Sequence, residues 1–200
     1  MPSIYELKPR FQALLRPFVA ALARAGITAN AVTLFACALS VALGVFLAWR
    51  PRPAAFALLP AWLFARMALN AVDGMLAREF GQQSTLGGYL NELGDVVADA
   101  GLYLALLAVP GLRWPAPVAL ALLASWSELA GVLGQPAGAQ RRYDGPMGKS
   151  DRAFVVGSLG LALAFGWIGA TAVHWTLVAA CALCAWTVAN RVRAGLAQAR

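Results

Sequence analysis

Hydrophobic residues fall into six runs, about 31–49, 54–73, 88–109, 115–134, 153–168 and 172–190, divided by short breaks rich in Gly, Pro or charge. Apolar runs of about 17–25 residues suffice to cross roughly 30 Å of hydrocarbon, so the pattern predicts an all-α integral membrane protein with six transmembrane helices. Ahead of them, Ile4, Leu7, Phe11, Leu14, Leu15, Phe18 and Leu22 alternate at helical spacing with Lys8, Arg10, Arg16 and Arg24. That spacing suits an N-terminal amphipathic helix in the membrane interface, the alternative being a plain cytoplasmic extension. The expected organisation is a juxtamembrane segment over 1–30, a six-span domain over 31–190 and a basic cytoplasmic tail over 191–200.

Composition agrees: 60% of residues are hydrophobic and 12% charged, which excludes an ordinary soluble domain. The net charge of +7 does not indicate nucleic acid, because the cations sit in the breaks rather than along one patch. With the amino terminus in the cytoplasm, Lys and Arg number twelve inside (8, 10, 16, 24, 78, 141, 142, 149, 152, 191, 193, 200) against three outside (50, 52, 113). This asymmetry predicts a multi-pass protein of the cell inner (cytoplasmic) membrane with both termini cytoplasmic. No cleavable signal peptide is evident in the first thirty residues. Cys37, Cys181 and Cys184 lie inside apolar runs and read as small hydrophobes. The Trp residues fall mostly near span ends, as an aromatic belt does.

The acids follow a different rule. Five of the nine (Asp73, Glu79, Glu92, Asp95 and Asp99) fall within 27 residues. A charged side chain at the membrane centre costs roughly 2.5 to 3.5 kcal/mol on insertion scales, so these need a cavity, a partner or an ion. Asn70, Asp73 and Ala77 share one face of the second span, and Asn91, Asp95 and Asp99 share one face of the third. Two oxygen-rich faces of this kind favour a hard cation, Mg²⁺ or Mn²⁺. Gly74, Gly87 and Gly88 clear space for a phosphate or nucleotide, and Arg78 offers a donor fork for phosphate. Small-residue helix packing with polar groups bonding one another is the structural alternative.

The run Asn70-Ala-Val-Asp73-Gly74-Met-Leu-Ala77-Arg78, eight residues, Gly87, three residues, Asn91, three residues, Asp95 resembles the signature of the CDP-alcohol phosphotransferases, D-x-x-D-G-x-x-A-R then G-x-x-x-D-x-x-x-D. Gly26-Ile27-Thr28-Ala29-Asn30-Ala31-Val32-Thr33 is similar to the family's G-I-T-P-N-x-V-T, with Ala29 where proline is usual. The resemblance implies transfer of a phosphatidyl group from CDP-diacylglycerol to a small alcohol with release of CMP, in a cavity open to cytoplasm and membrane lipid. It implies Asp95 as base and metal ligand, Asp73 as metal ligand, and Gly74, Ala77, Arg78, Gly87 and Thr33 on the nucleotide side. A homodimer is common in the family.

Asn70 and Asn91 stand where the family carries aspartates, reducing four carboxylates to two, with Asp99 one turn beyond as a replacement charge. An amide oxygen still ligates a hard cation but brings no charge, so the site is expected to hold two divalent ions weakly or only one. Lys149, Arg152 and Arg142 on the loop before span five are the expected binders of a phosphorylated acceptor such as glycerol 3-phosphate or inositol phosphate. Positive-inside topology alone is the competing explanation of that loop. Arg191 and Arg193 at the end of span six are expected to meet anionic headgroups, the alternative being that they join the basic pocket of that loop. Arg66 and Glu128, charged within spans, are a possible interhelical pair. The rivals to an enzyme are a non-catalytic membrane binding or transport protein and a degenerate family member.

Overall fold

The computed structural model describes residues 4–199, with backbone alone for 4–9 and Ala137. The side chains of Ile4, Leu7 and Lys8 on the amphipathic face, and Arg200 among the inward cations, lie outside the described residues. Seven α-helices follow in order: α1 Ile4–Arg24, α2 Ala29–Trp49, α3 Leu58–Glu79, α4 Thr85–Leu104, α5 Pro115–Val132, α6 Lys149–Ala164 and α7 Ala170–Gln198. Short 3-10 turns precede α3 and follow α4 and α5, and no strand occurs among the described residues. Four stretches, 29–49, 53–79, 115–132 and 170–198, are long and apolar enough to cross a membrane. In α4 the acids Glu92, Asp95 and Asp99 lower the hydropathy, and α6 has only 16 residues.

The local signals are physical ones. Thr28 caps α2 by accepting from the Ala31 amide at 3.2 Å, and Ser84 caps α4 by accepting from the Gly87 amide at 2.9 Å. Asp151 closes the start of α6 by accepting from the Gly148 amide at 2.9 Å. Proline at this position of α2 would carry no amide proton; Ala29 does, and the Gln82 Oε1 accepts it at 2.7 Å. The departure from the family's proline is thus compensated by the α3–α4 loop.

Helix packing runs from α2 to α3, α3 to α6, α6 to α7, α7 to α5, α5 to α4 and α4 back to α2, closing a ring. Helices α3 and α4 both lean on α2 rather than on each other, which leaves a gap between their polar faces. Backbones of α2 and α4 meet at Gly44 and Gly101, where a side chain on Gly44 would run into the Gly101 carbonyl. An apolar core of Phe56, Leu59, Leu102, Leu106, Leu120, Val156, Leu177 and Cys184 fills the half of the ring away from the polar groups. Cys184 is buried there, and the thiol of Cys181 lies 3.7 Å from the Ala116 carbonyl, so both behave as core residues.

Helix α1 docks on α3 through Val19, which is fully buried against Val72, Met75 and Leu76. A bidentate pair of Arg16 with Glu79, at 3.0 and 3.1 Å, ties the same two helices at the surface. Its other side leaves Leu14 and Phe18 exposed. Helix α7 continues to Gln198, so residues 191–198 extend the last helix rather than forming a separate tail. Six tryptophans, Trp49, Trp114, Trp126, Trp167, Trp175 and Trp186, are exposed, while Trp62 turns inward to donate to Ser40 at 2.9 Å.

Candidate active site

The gap between α3 and α4 is a hollow of about 690 Å³, bordered by the starts of α2 and α4, the second half of α3 and the loop joining α3 to α4. Asn70, Asp73, Gly74, Ala77, Arg78, Thr33, Gly87 and Asn91 all line it. So do Asn30, Gln82, Gln83, Ser84 and Thr85. The amino ends of α2 and α4 therefore converge on one space, and the partial positive charge of a helix amino end favours phosphate there.

Both aspartates are held by cross-helix partners, but only Asp73 lines the hollow; Asp95, expected there too, lies behind Asn70. Asp73, buried on α3, accepts from the Thr33 hydroxyl at 2.7 Å and from the Asn91 amide nitrogen on α4 at 3.5 Å. Asp95, on α4, accepts from the Asn70 amide nitrogen on α3 at 3.3 Å and from Arg66 at 3.1 Å. Lys149, at the head of α6, forms an ion pair with the other Asp95 oxygen. Each helix thus contributes one carboxylate and one amide, paired diagonally. The exchange of aspartate for asparagine at 70 and 91 removes two charges and supplies two donors to the carboxylates that remain.

Beyond Asp95 the character changes to an ionic network, buried at Arg66, Asp99 and Arg152 and partly exposed at Arg141 and Glu92. Arg66 bridges Asp95 to Asp99, reaching the latter at 2.5 Å. Arg152 donates to Asp99 at 3.3 Å, to Glu128 at 2.8 Å, to the Ser127 hydroxyl at 2.9 Å and to the Met147 carbonyl at 3.2 Å. Arg191 donates to the Ser127 carbonyl at 2.5 Å and stands 3.5 Å from Glu128. Arg141 pairs with Glu92 and, at 3.3 Å, with Glu128. Burying this many charges is tolerable only because each has an opposite partner.

A family description, CDP-alcohol phosphatidyltransferase, matches residues 26–186, which include every residue around the hollow. The chain belongs to the CDP-alcohol phosphatidyltransferase family. It is 44% identical over 196 residues to the inner membrane protein YnbA of Escherichia coli (strain K12), covering 97% of this chain and 96% of that one. The fold of this family member is similar to that of the Mycobacterium tuberculosis phosphatidylinositol phosphate synthase PgsA1. The structure of that enzyme with manganese and citrate has a TM-score of 0.75 at 19% identity, covering 90% of this chain and 88% of that one. The structure with CDP-DAG bound has a TM-score of 0.74 at 18% identity, covering 90% and 92%.

Several expected site residues of this family member are placed differently by the structure. Asp99 is not at the hollow: it is buried between Arg66 and Arg152, so it serves as their counter-ion rather than as a replacement ligand. Arg152 has no exposed side-chain surface and is committed to Glu128 and Asp99. Arg142 turns to Asp144, at 2.8 Å through both nitrogens, and to Gln198 at 3.3 Å. The Arg142 hydrogen bonds hold the Asp144 carboxyl below its ordinary value. Arg66 and Glu128 do not pair with each other, because Arg66 faces α4 while Glu128 faces Arg152. Arg191 is buried against Glu128 instead of reaching headgroups, whereas Arg193 is exposed.

The glycines also acquire a more specific reason. A side chain on Gly74 would strike the Arg78 guanidinium at 2.8 Å, and one on Gly87 would strike the Asn30 amide oxygen at 2.8 Å. They make room for the protein's own polar groups at the hollow's edge. Sequence reasoning passed over Arg66 and Glu128 as site residues because an isolated charge within a span does not disclose its partner. Asn30 and Gln82 carried no signal beyond position: Asn30 sits in the quoted motif, and Gln82 in the α3–α4 break.

Proposed function

We propose that this protein is an inner-membrane enzyme that transfers a phosphatidyl group from CDP-diacylglycerol to the hydroxyl of a small alcohol, releasing CMP. The observation that carries it is the position of Asp95, which touches Asn70 at the hollow on one side and Lys149 at the head of α6 on the other. A carboxylate there can meet two substrates at once. The solved relative with CDP-DAG bound supports the lipid donor. Six helices cross the membrane in this reading, α2 to α7, with both termini cytoplasmic and α1 in the interface, and the assembly is a homodimer.

The nucleotide occupies the hollow, with its pyrophosphate toward the amino ends of α2 and α4 and beside Arg78. An apolar groove of about 470 Å³ between α3 and α6, lined by Phe64, Met67, Phe154 and Leu161, takes the acyl chains. The acceptor hydroxyl approaches Asp95. Its oxygen forms the new bond to the phosphatidyl phosphorus, the bond from that phosphorus to the CMP oxygen breaks, and CMP leaves with the electron pair. Asp95 takes the hydroxyl proton, and Arg66 and Lys149 hold its carboxylate in place.

The donor set fits a hard divalent cation, Mg²⁺ or Mn²⁺, as the manganese in the solved relative illustrates. Asp73 with the amide oxygens of Asn70 and Asn91 would hold it, after the amides turn their oxygens inward, and Asp95 would border it. Such an ion supplies charge stabilisation to the departing phosphate. Asp95 already has Arg66 and Lys149 on its oxygens, so one ion suits these residues better than two.

Purified protein in detergent with CDP-diacylglycerol and a panel of alcohols tests the proposal. Acceptor-dependent CMP release that disappears in Asp95→Asn is the expected result, and its absence across the panel would return the chain to the class of non-catalytic membrane proteins.

A further inference from the structure

We infer that the acceptor is an alcohol without a phosphate group, because every cation of the basic cluster beside Asp95 is already paired with one of the protein's own carboxylates. The inference rests on the transferase reading above and concerns which alcohol that reaction accepts.

Five cations gather on the side of Asp95 away from the hollow: Arg66, Arg141, Lys149, Arg152 and Arg191. Facing them are four acids, Glu92, Asp95, Asp99 and Glu128. Every one of the five has a carboxylate partner. Glu128 is central: Arg152 reaches it at 2.8 Å, Arg141 at 3.3 Å and Arg191 at 3.5 Å, with its side chain 9% exposed. A single carboxylate thus engages three guanidiniums, the groups that would otherwise attract a phosphorylated acceptor's anion.

A phosphate entering this cluster meets Glu128 as a like charge. To bind Arg152 and Arg191 it would have to displace that carboxylate, leaving it buried with Arg141 alone as its partner. Arg152 and Arg191 are themselves 0% and 3% exposed, so they are not offered to a ligand. What remains accessible is the rim, where Glu92 pairs with Arg141 and Asp95 pairs with Lys149, the four side chains keeping 16–33% exposure. Two acid–base pairs have no net charge. They present both donors and acceptors, which suits the hydroxyls of a polyol or the ammonium and carboxylate of an amino alcohol such as serine. Glu128 is then the specificity-determining residue.

The test compares CMP release by the full-length protein in CDP-diacylglycerol micelles with glycerol, myo-inositol and serine against glycerol 3-phosphate and inositol phosphate. We expect kcat/KM for at least one unphosphorylated alcohol to exceed that for either phosphorylated one by about tenfold or more, and millimolar inorganic phosphate to leave the rate unchanged. Preference for a phosphorylated acceptor, or competition of inorganic phosphate with the acceptor, would overturn this inference while leaving the transferase intact. Silence with every acceptor would overturn the transferase reading and this one together. The Glu128→Gln variant sharpens the result: freeing Arg152 and Arg191 should raise kcat/KM for glycerol 3-phosphate several-fold relative to the unphosphorylated alcohols. An unchanged ratio in folded Glu128→Gln would count against Glu128 as the selector.

Discussion

The hollow and the ionic network meet at Asp95, yet they treat charge in opposite ways. In the hollow, Asp73 is held by a hydroxyl and an amide, and among the described residues it has no cationic partner in direct contact. In the network, every carboxylate is matched by at least one guanidinium, and Arg152 and Asp99 are sealed from solvent. The first region leaves its charge for something that arrives from outside; the second has settled its charge internally. A polar cluster in a membrane helix is therefore not one kind of object, and only the unsettled part has the character of a ligand site.

The largest effect should come from the shared residue. Asp95→Asn keeps the shape but removes the base, and CMP release is expected to fall by about 10²–10⁴-fold with the folded fraction unchanged on size-exclusion chromatography. Loss of the fold instead would mean that Asp95 belongs to the network more than to the hollow. Next, Asp99→Asn leaves Arg66 and Arg152 short of a counter-ion, at a cost of about 3–5 kcal/mol, read as a lowered thermal midpoint in detergent. Stability equal to wild type would show that the network is not sealed.

Restoring aspartate at Asn70 and Asn91 acts on the hollow. The double variant should bind Mn²⁺ at least about tenfold more tightly by calorimetry or electron paramagnetic resonance, since ligand charge sets affinity for hard cations. Unchanged binding would remove both positions from the ligand set. The smallest effect belongs to the exposed loop. Asp144, whose carboxyl Arg142 holds below its ordinary 3.8, adds stability that is present above that value and lost as pH falls through its lower folded value. Asp144→Asn should remove this acid-side dependence and cost less than about 1 kcal/mol at neutral pH.

Much of this arrangement was legible in the chain itself. The helical spacing of Asn70, Asp73 and Ala77 and of Asn91, Asp95 and Asp99 led directly to a common polar space, because a turn of α-helix fixes which side chains share a face. The starts of α2, α5 and α7 lie within two residues of the apolar runs that predicted them, whereas α7 continues past the expected 190 to Gln198. What spacing could not provide was partner choice. Asp99 shares its face with Asp95, yet one turn of helix carries it beyond the hollow to Arg66 and Arg152, from α3 and α6. Arg152 and Arg191 read as loop and tail cations, since nothing adjacent in sequence shows that Glu128 on α5 faces them.

The diagonal links of Asn70 to Asp95 and of Asn91 to Asp73 also key α3 and α4 mechanically. Sliding either helix past the other by one residue, or rolling it by the angle of one residue, would uncouple both links in the same movement. A pair of neutral side chains therefore reinforces, at the hollow, the register that Arg66 on α3 sets through Asp95 and Asp99 on α4.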